Sequence, residues 1–160
     1  MLLGERRFQV FGHLVRTEDS GARGYLATTY WVDVTTYAQV SQKFDATRPV
    51  LGILHVDNYE DLSRGLEEGE RAVIQAEVNN RLSSWLDPSQ GMLCRYDRDH
   101  YLLLVEAGQF QDFFRRKFSI LDEIRQVQSP NGVAATLSIG FGRNGDSPRQ
   151  LHQFASLALD

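Results

Sequence analysis

Two short polar stretches of the chain carry residue types that bind metals and phosphates. In HVDNYED, residues 55–61, Asp57 directly follows an apolar run, and in DRDH, residues 97–100, carboxylates stand beside a guanidinium and an imidazole. Asp57 and Asp99 could meet around one Mg²⁺, which takes oxygen ligands and shares them with substrate phosphates. The structural alternative has Asp57 capping a following helix and DRDH forming a solvated turn. The residue pattern alone favours this structural interpretation.

Strands are expected to position both stretches. The apolar run VLGILHV, residues 50–56, is typical of a buried strand, and ligand sites commonly open at the ends of such strands. MLCRY and HYLLLV predict two further strands, and the DRD between them is short enough for a hairpin loop. Asp57 and the DRDH stretch are therefore both expected at strand ends.

Helices are expected to cover these strands. One long amphipathic helix is marked by Ile74, Val78, Leu82 and Trp85, and it should end at the turn formed by Asp87, Pro88, Ser89 and Gly91. A second long helix, with its aromatic residues in the core, is marked by Phe110, Phe114, Phe118, Leu121 and Ile124. A strand over 133–142 and a last helix from Leu151 follow. This order predicts an α+β or α/β sandwich in which helices cover a mixed sheet.

The first third of the chain has a different pattern. Residues 5–16 and 25–34, rich in β-branched and aromatic types and joined by the turn-rich TEDSGARG, predict a β-hairpin. A lone hairpin is marginal in water, so it must pack against something. A short helix is expected from Thr35 or Thr36, with its apolar stripe at Tyr37, Val40 and Phe44, and it must end before Pro49. The polar residues 45–48 mark the expected domain boundary.

Composition limits the class of protein. The chain has 160 residues, 42% of them hydrophobic, and a net charge of −4, which argues against a nucleic-acid binder with a broad basic face. The single cysteine, Cys94, cannot form an internal disulfide. The apolar runs are too short to span a membrane, and no signal peptide is visible, so the chain itself is expected to be soluble.

Four motifs, in order, resemble the GGDEF (diguanylate cyclase) domain from about Val50 to Asp160. HVDNYE stands where active members have DxDxFK, and RYDRDHYLLLV stands where they have RxGGDEFxxLL. TLSIGFG is similar to the late motif SIGxA, and FASLAL to the start of ADxALYxAK. The resemblance implies a nucleotidyl-cyclase-like sheet covered by helices.

The signature departs from that of active members at the residues that do chemistry. The two positions that hold the metal in active members are occupied here by His55 and Asp99, and imidazole is a poor ligand for Mg²⁺. Asp97 and Arg98 replace the two glycines, and His100 replaces the glutamate. The degenerate signature thus comprises His55, Asp97, Arg98, Asp99, His100 and Tyr101. The resemblance therefore implies that efficient cyclase activity has been lost.

Under the same resemblance, some residues disfavour nucleotide binding and others still permit it weakly. Glu60 stands where active members have a phosphate-contacting lysine and reverses its charge, whereas Glu70 is the nearest equivalent of the guanine-reading aspartate. The candidate nucleotide-binding residues are Asp57, Glu70, Arg98 and Asp99, with Asp57 and Asp99 as candidate metal ligands. Arg98 could contact phosphate or pair with a neighbouring carboxylate. Mg²⁺ with ATP is the only cofactor expected, and no haem is expected.

Longer stretches narrow the resemblance to membrane-anchored cyclic-di-AMP phosphodiesterases of the GdpP type. These stretches are RPVLGILHVDNYEDL, KFSILDEIR and a hairpin ending in WVDVTTY. Such proteins carry transmembrane helices, a PAS domain, a degenerate GGDEF domain and a DHH–DHHA1 hydrolase domain. The resemblance implies that residues 1–34 end a PAS domain, 35–48 form a coupling helix and linker, and 49–160 form a degenerate GGDEF domain truncated before its last strand.

Three functions follow from this resemblance. The first is a regulatory domain of a bacterial membrane-anchored protein, on its cytoplasmic side, which relays a signal to a phosphodiesterase domain of the same polypeptide. The second is a slow Mg²⁺-dependent ATPase that uses Asp57 and Asp99. The third is an inert scaffold, in which the short stripe of the coupling helix pairs two copies. The expected partners are the rest of the polypeptide, a second copy of the chain and a nucleotide. No nucleic-acid partner is expected, and contact with the membrane is expected only through transmembrane helices outside this sequence. His13 and His152 are expected to be ordinary surface or core residues.

Overall fold

A computed structural model describes residues 1–19, 22–86 and 91–160 of the chain. The chain divides into two compact units, Met1–Asp45 and Ala46–Asp160. The turn predicted after the first long helix falls mostly on residues 87–90, which lie outside the described residues, as do positions 20 and 21 of the predicted TEDSGARG connector. No helix in the described ranges combines the length and apolar character needed to cross a bilayer.

The first unit is an antiparallel sheet followed by a helix. The strands are β1 (Leu2–Leu3), β2 (Arg6–Asp19) and β3 (Ala22–Asp33), in that order, and α1 spans Thr35–Thr47. The predicted hairpin is confirmed, although its strands run further into the connector than expected. Asp33 fixes the start of α1, because its Oδ1 accepts hydrogen bonds from the Thr35 amide at 3.0 Å and the Thr35 hydroxyl at 2.6 Å.

The second unit is built on a four-stranded sheet with the order β5-β6-β4-β7. These strands are β4 (Pro49–Val56), β5 (Met92–Arg95), β6 (His100–Glu106) and β7 (Leu137–Gly142). The helices are α2 (Tyr59–Ser63), α3 (Glu68–Leu86), α4 (Ala107–Arg115), α5 (Ile120–Ile124) and α6 (Pro148–Leu159). The predicted α+β fold is confirmed. The prediction of a mixed sheet is wrong, because all three of the described strand pairings are antiparallel.

The central strand β4 is buried on both faces. On one face, Val50, Leu54 and Val56 belong to the main core with residues of α3, α4 and α5. On the other face, Leu51 and Ile53 pack with Leu151 and Ala155 of α6. Helices therefore cover both sides of the strand, which explains its nearly continuous apolar sequence.

The prediction of one long helix over residues 110–124 is wrong. Lys117 and Phe118 both have φ of +50°, a left-handed conformation that cannot continue a helix, so α4 ends at Arg115 and α5 begins at Ile120. The ring that enters the core also differs from the prediction. Phe113 is buried and stacks on Trp85 with ring centroids 4.2 Å apart, whereas Phe114, which was expected in the core, is 55% exposed.

The contact between β7 and α6 depends on glycine. A Cβ atom on Gly142 would lie 1.8 Å from the carbonyl oxygen of Leu151, so only glycine allows this approach. The helix itself begins at Pro148, three residues earlier than predicted. Its first turn is capped by the Ser147 hydroxyl, which accepts a hydrogen bond from the Gln150 amide at 3.3 Å.

Candidate metal and nucleotide site

The two polar stretches meet where β4 ends and β6 begins. His55 of β4 is paired with His100 of β6 in the antiparallel register. The Val56 amide donates to the Asp99 carbonyl oxygen at 2.8 Å, which ties the start of the DRDH turn to the end of β4. The predicted strands and hairpin thus bring His55 and Asp99 together.

Backbone and amide contacts hold the tip of the β5–β6 hairpin. The amides of Tyr96 and Asp97 both donate to the His100 carbonyl oxygen, at 3.2 Å and 3.4 Å. The Asp97 Oδ1 accepts from the Arg98 amide at 2.7 Å. From α3, the Gln75 side-chain amide donates to the Arg98 carbonyl oxygen at 3.1 Å. The signature turn is therefore fixed by its own hydrogen bonds and by one contact from α3.

An imidazole lies between the two candidate carboxylates. The His55 Nδ1 is 3.6 Å from Asp57 Oδ1, and its Nε2 is 3.5 Å from Asp99 Oδ2. The other oxygen of Asp99 is 2.6 Å from His100 Nδ1. The His55 and His100 rings are stacked, with centroids 4.2 Å apart and planes inclined by 17°. Asp99 therefore bridges two stacked rings.

This arrangement favours an ionised Asp99. Partial burial works to raise the pKa of Asp99, but the hydrogen bond and charge of His100, aided by the charge of His55, lower it below the usual range. Beside it, partial burial raises the pKa of Tyr96, with a smaller contribution from the charges of Asp97 and Asp99. The site thus places one carboxylate beside two imidazole rings.

The donor set does not fit Mg²⁺. This ion requires near-octahedral oxygen coordination and gives up its water ligands reluctantly. The place between Asp57 and Asp99, where a shared Mg²⁺ would lie, is taken by the His55 ring. His55 also supplies nitrogen at one of the two positions that hold the metal in active members of the resembled family.

Other predicted site residues have local structural contacts. Glu70 lies in the first turn of α3, where its Oε2 accepts a hydrogen bond from the Glu67 amide at 3.0 Å, as a helix cap does. Arg98 takes part in none of the ion pairs within the described part of the chain. Tyr101 is 1% exposed, so this signature position belongs to the core.

Asn58, directly after Asp57, is a structural residue of the site that sequence reasoning missed. It occupies the N-cap position of α2, but neither it nor the expected Asp57 caps the helix. The Asn58 side chain instead donates to the Ala134 carbonyl oxygen at 2.7 Å and accepts from the Thr136 amide at 2.9 Å. It thereby joins the end of β4 to the segment entering β7. The only sequence signal is an amide, which offers both donor and acceptor, directly after a buried strand.

Comparisons with known proteins identify the family of this chain. The family described as "Cyclic-di-AMP phosphodiesterase GdpP-like, GGDEF domain" matches residues 54–160. The chain is 32% identical over 131 residues to the cyclic-di-AMP phosphodiesterase GdpP of Bacillus subtilis and 30% identical over 131 residues to PdeA of Listeria monocytogenes. In both cases the match covers 82% of this chain but only 20% of the relative's length.

A solved structure shows the same fold. The FimX GGDEF domain from Pseudomonas aeruginosa superposes with a TM-score of 0.58 at 18% identity, over 78% of this chain and 80% of that one. At that identity the likeness concerns the fold alone, whereas the family match and the two bacterial relatives concern the sequence. The chain belongs to the GdpP-like GGDEF domain family of cyclic-di-AMP phosphodiesterases.

Proposed function

We propose that this chain is a regulatory domain that relays a signal to a cyclic-di-AMP phosphodiesterase domain elsewhere in the same polypeptide, and that it is not a diguanylate cyclase. The observation that supports the absence of cyclase activity is the position of the His55 ring between Asp57 and Asp99. A cyclase needs a hard cation there to hold the nucleotide phosphates, and an imidazole in that place takes the position of the cation and supplies nitrogen where the ion requires an oxygen ligand.

The regulatory half rests on family membership and on the order of elements. Curated relatives are named cyclic-di-AMP phosphodiesterases, and this chain spans a fifth of their length, which leaves room for catalysis elsewhere. We interpret residues 1–34 as the end of a PAS sensor and α1 as the helix that couples it to the degenerate domain. Under this interpretation the parent polypeptide is anchored in the membrane by other segments.

The absence of cyclase chemistry is tested with the purified chain. GTP incubated with Mg²⁺ or Mn²⁺ should give no cyclic dinucleotide above the background of a heat-denatured sample. Accumulation of product that depends on Asp99 would overturn the proposal. The same preparation tests the ATPase alternative, because Asp99→Ala should abolish ATP turnover if Asp99 supports hydrolysis, and turnover that is unchanged in this variant would exclude that role.

The relay is tested in the full-length polypeptide through α1. Gln39 is an exposed residue inside this helix, so Gln39→Pro removes a helical hydrogen bond and breaks the helix, whereas Gln39→Ala keeps it. We expect Gln39→Pro to change the rate of cyclic-di-AMP hydrolysis at least about threefold and Gln39→Ala to leave it unchanged. Equal rates in the two variants would refute coupling through this helix.

A further inference from the structure

The cluster of His55, Asp99 and His100 fits a different class of ion from Mg²⁺. One ligand atom from each residue lies within 4.8 Å of the others. Two imidazoles and one carboxylate form a donor set that suits Zn²⁺ and neighbouring divalent transition metals, because imidazole binds these borderline ions well. We propose that these three side chains form a binding site for a divalent transition-metal ion of the Zn²⁺ type.

The backbone already brings the three residues together. His55 and His100 are direct partners in the β4–β6 ladder, and the hydrogen bond from the Val56 amide to the Asp99 carbonyl fixes the third residue beside them. Rigid strands place ligands more reproducibly than loops do. The three donors therefore come from a fixed frame, and only their side-chain torsions remain to be set.

Binding requires a small rearrangement of the rings. With metal–nitrogen bonds of about 2.1 Å, tetrahedral ligand atoms lie about 3.4 Å apart, so the cluster, whose ligand atoms lie within 4.8 Å of one another, must contract by about 1.4 Å at its widest. The 3.5 Å between His55 Nε2 and Asp99 Oδ2 already matches, and the ion replaces the hydrogen bond between His100 and Asp99. The His55 and His100 side chains are about 30% exposed, which leaves the rings room to turn.

Asp57 is placed to support the ligand His55. When Nε2 of His55 holds an ion, its other nitrogen, Nδ1, carries a proton, and Asp57 Oδ1 lies 3.6 Å from that atom. A carboxylate behind a ligating histidine orients the ring and strengthens it as a donor.

This inference goes beyond the proposed function and does not depend on it. Metal binding is a property of the purified chain, whereas signal relay is measured only in the full-length polypeptide. A failed relay experiment leaves the metal site intact, and a failed metal titration leaves the regulatory role intact.

The experiment is a metal titration of the purified chain in a Cys94→Ser background, since Cys94 is an exposed free thiol that could bind Zn²⁺ itself. After treatment with a chelator, Zn²⁺ and Mg²⁺ are titrated by calorimetry, and Co²⁺ is followed by its visible absorption. We expect one Zn²⁺ per chain, a Co²⁺ spectrum of nitrogen and oxygen coordination, and at least about tenfold weaker binding of Mg²⁺.

Four variants locate the site. His55→Gln and His100→Gln should each weaken Zn²⁺ binding at least about tenfold, and Asp57→Asn, which removes the supporting carboxylate, by about tenfold. His152→Gln, at an exposed position of α6, should leave the affinity unchanged. Far-UV circular dichroism checks that each variant is folded, and His55→Asn or His100→Asn replaces any variant that is not. Absence of Zn²⁺ and Co²⁺ binding, or an affinity unchanged by substitution of His55 and His100, would overturn the proposal.

Discussion

Replacement of Asn58 by alanine should destabilise the second unit through the loss of two hydrogen bonds. The bond to the Ala134 carbonyl oxygen is partly buried, at 2.7 Å, and the bond from the Thr136 amide is exposed, at 2.9 Å. A neutral hydrogen bond contributes about 1 kcal/mol, and a partly buried carbonyl left without its donor costs somewhat more. We therefore expect Asn58→Ala to lower the free energy of unfolding by about 2 kcal/mol. For a domain of this size that is a fall in Tm of about 8 °C.

The measurement is urea unfolding of the purified chain, followed by circular dichroism and by tryptophan fluorescence. Trp85 reports on the second unit, because it is buried in its core. The matched control is Asn79→Ala, the same substitution at an exposed position of α3, where alanine favours the helix and should not destabilise it. The reasoning is refuted if Asn58→Ala lowers the free energy of unfolding by less than about 0.5 kcal/mol at an unchanged dependence on urea.

Three further predictions test other parts of the structure. Phe113→Ala should cost about 3–5 kcal/mol in urea unfolding and Phe114→Ala about 1 kcal/mol or less, because only the first ring is buried. Gly142→Ala should cost about 3 kcal/mol or more in the same assay, since its Cβ overlaps the backbone of α6. Hydrogen bonds from Thr35 lower the pKa of Asp33 below its usual value of 3.8. The stabilisation that these bonds give α1 is therefore complete above about pH 4, and it is lost as the pH falls through the lowered pKa of Asp33. Helical ellipticity should therefore fall on acidification below about pH 4 in the native chain, and Asp33→Asn should lack this step.

A specific experimental result would contradict each of these three predictions. Equal costs for the two phenylalanine variants would contradict the burial of Phe113 and the exposure of Phe114. A Gly142→Ala chain as stable as Gly69→Ala, a glycine with no atom within 4 Å of an added Cβ, would contradict the close approach of β7 and α6. An identical acid titration of helix content in the native chain and Asp33→Asn would remove the capping role of that carboxylate.

Much of the fold was predictable because its local signals agree with its packing. The run at 50–56 is apolar throughout, and the structure buries this strand on both faces. The register between β5 and β6 follows from a hairpin whose loop is short, whereas the register between β4 and β6 is a long-range pairing that this loop does not set. The break between α4 and α5 was not predictable, because Lys117 and Phe118 are not residue types that favour positive φ. The Phe118 ring lies 5.9 Å from that of Phe141, centroid to centroid, a long-range contact that the local sequence does not indicate.

The site was predictable in its location but not in its contacts. The two polar stretches at strand ends gave Asp57 and Asp99 as side chains that could meet, and the register of β4 and β6 places His55 beside both of them. The stacking of His55 on His100 depends on ring torsions that spacing does not encode. The hydrogen bonds of Asn58 reach Ala134, 76 positions later in the chain, and Thr136, 78 positions later. No periodic pattern in the sequence indicates contacts over such a separation.

The chemistry of the site and the stability of the fold are largely separable in this chain. Along β6 the buried residues Tyr101, Leu103 and Val105 alternate with half-buried ones, and His100 belongs to the half-buried set. His55 is likewise the one half-buried residue near the end of a strand that is otherwise buried beyond Pro49. Substitutions at these two positions change ligand type without opening a cavity, because neither ring supports the core. The sheet can therefore keep its fold while nitrogen replaces oxygen among the donors, and this replacement favours a Zn²⁺-type ion over Mg²⁺.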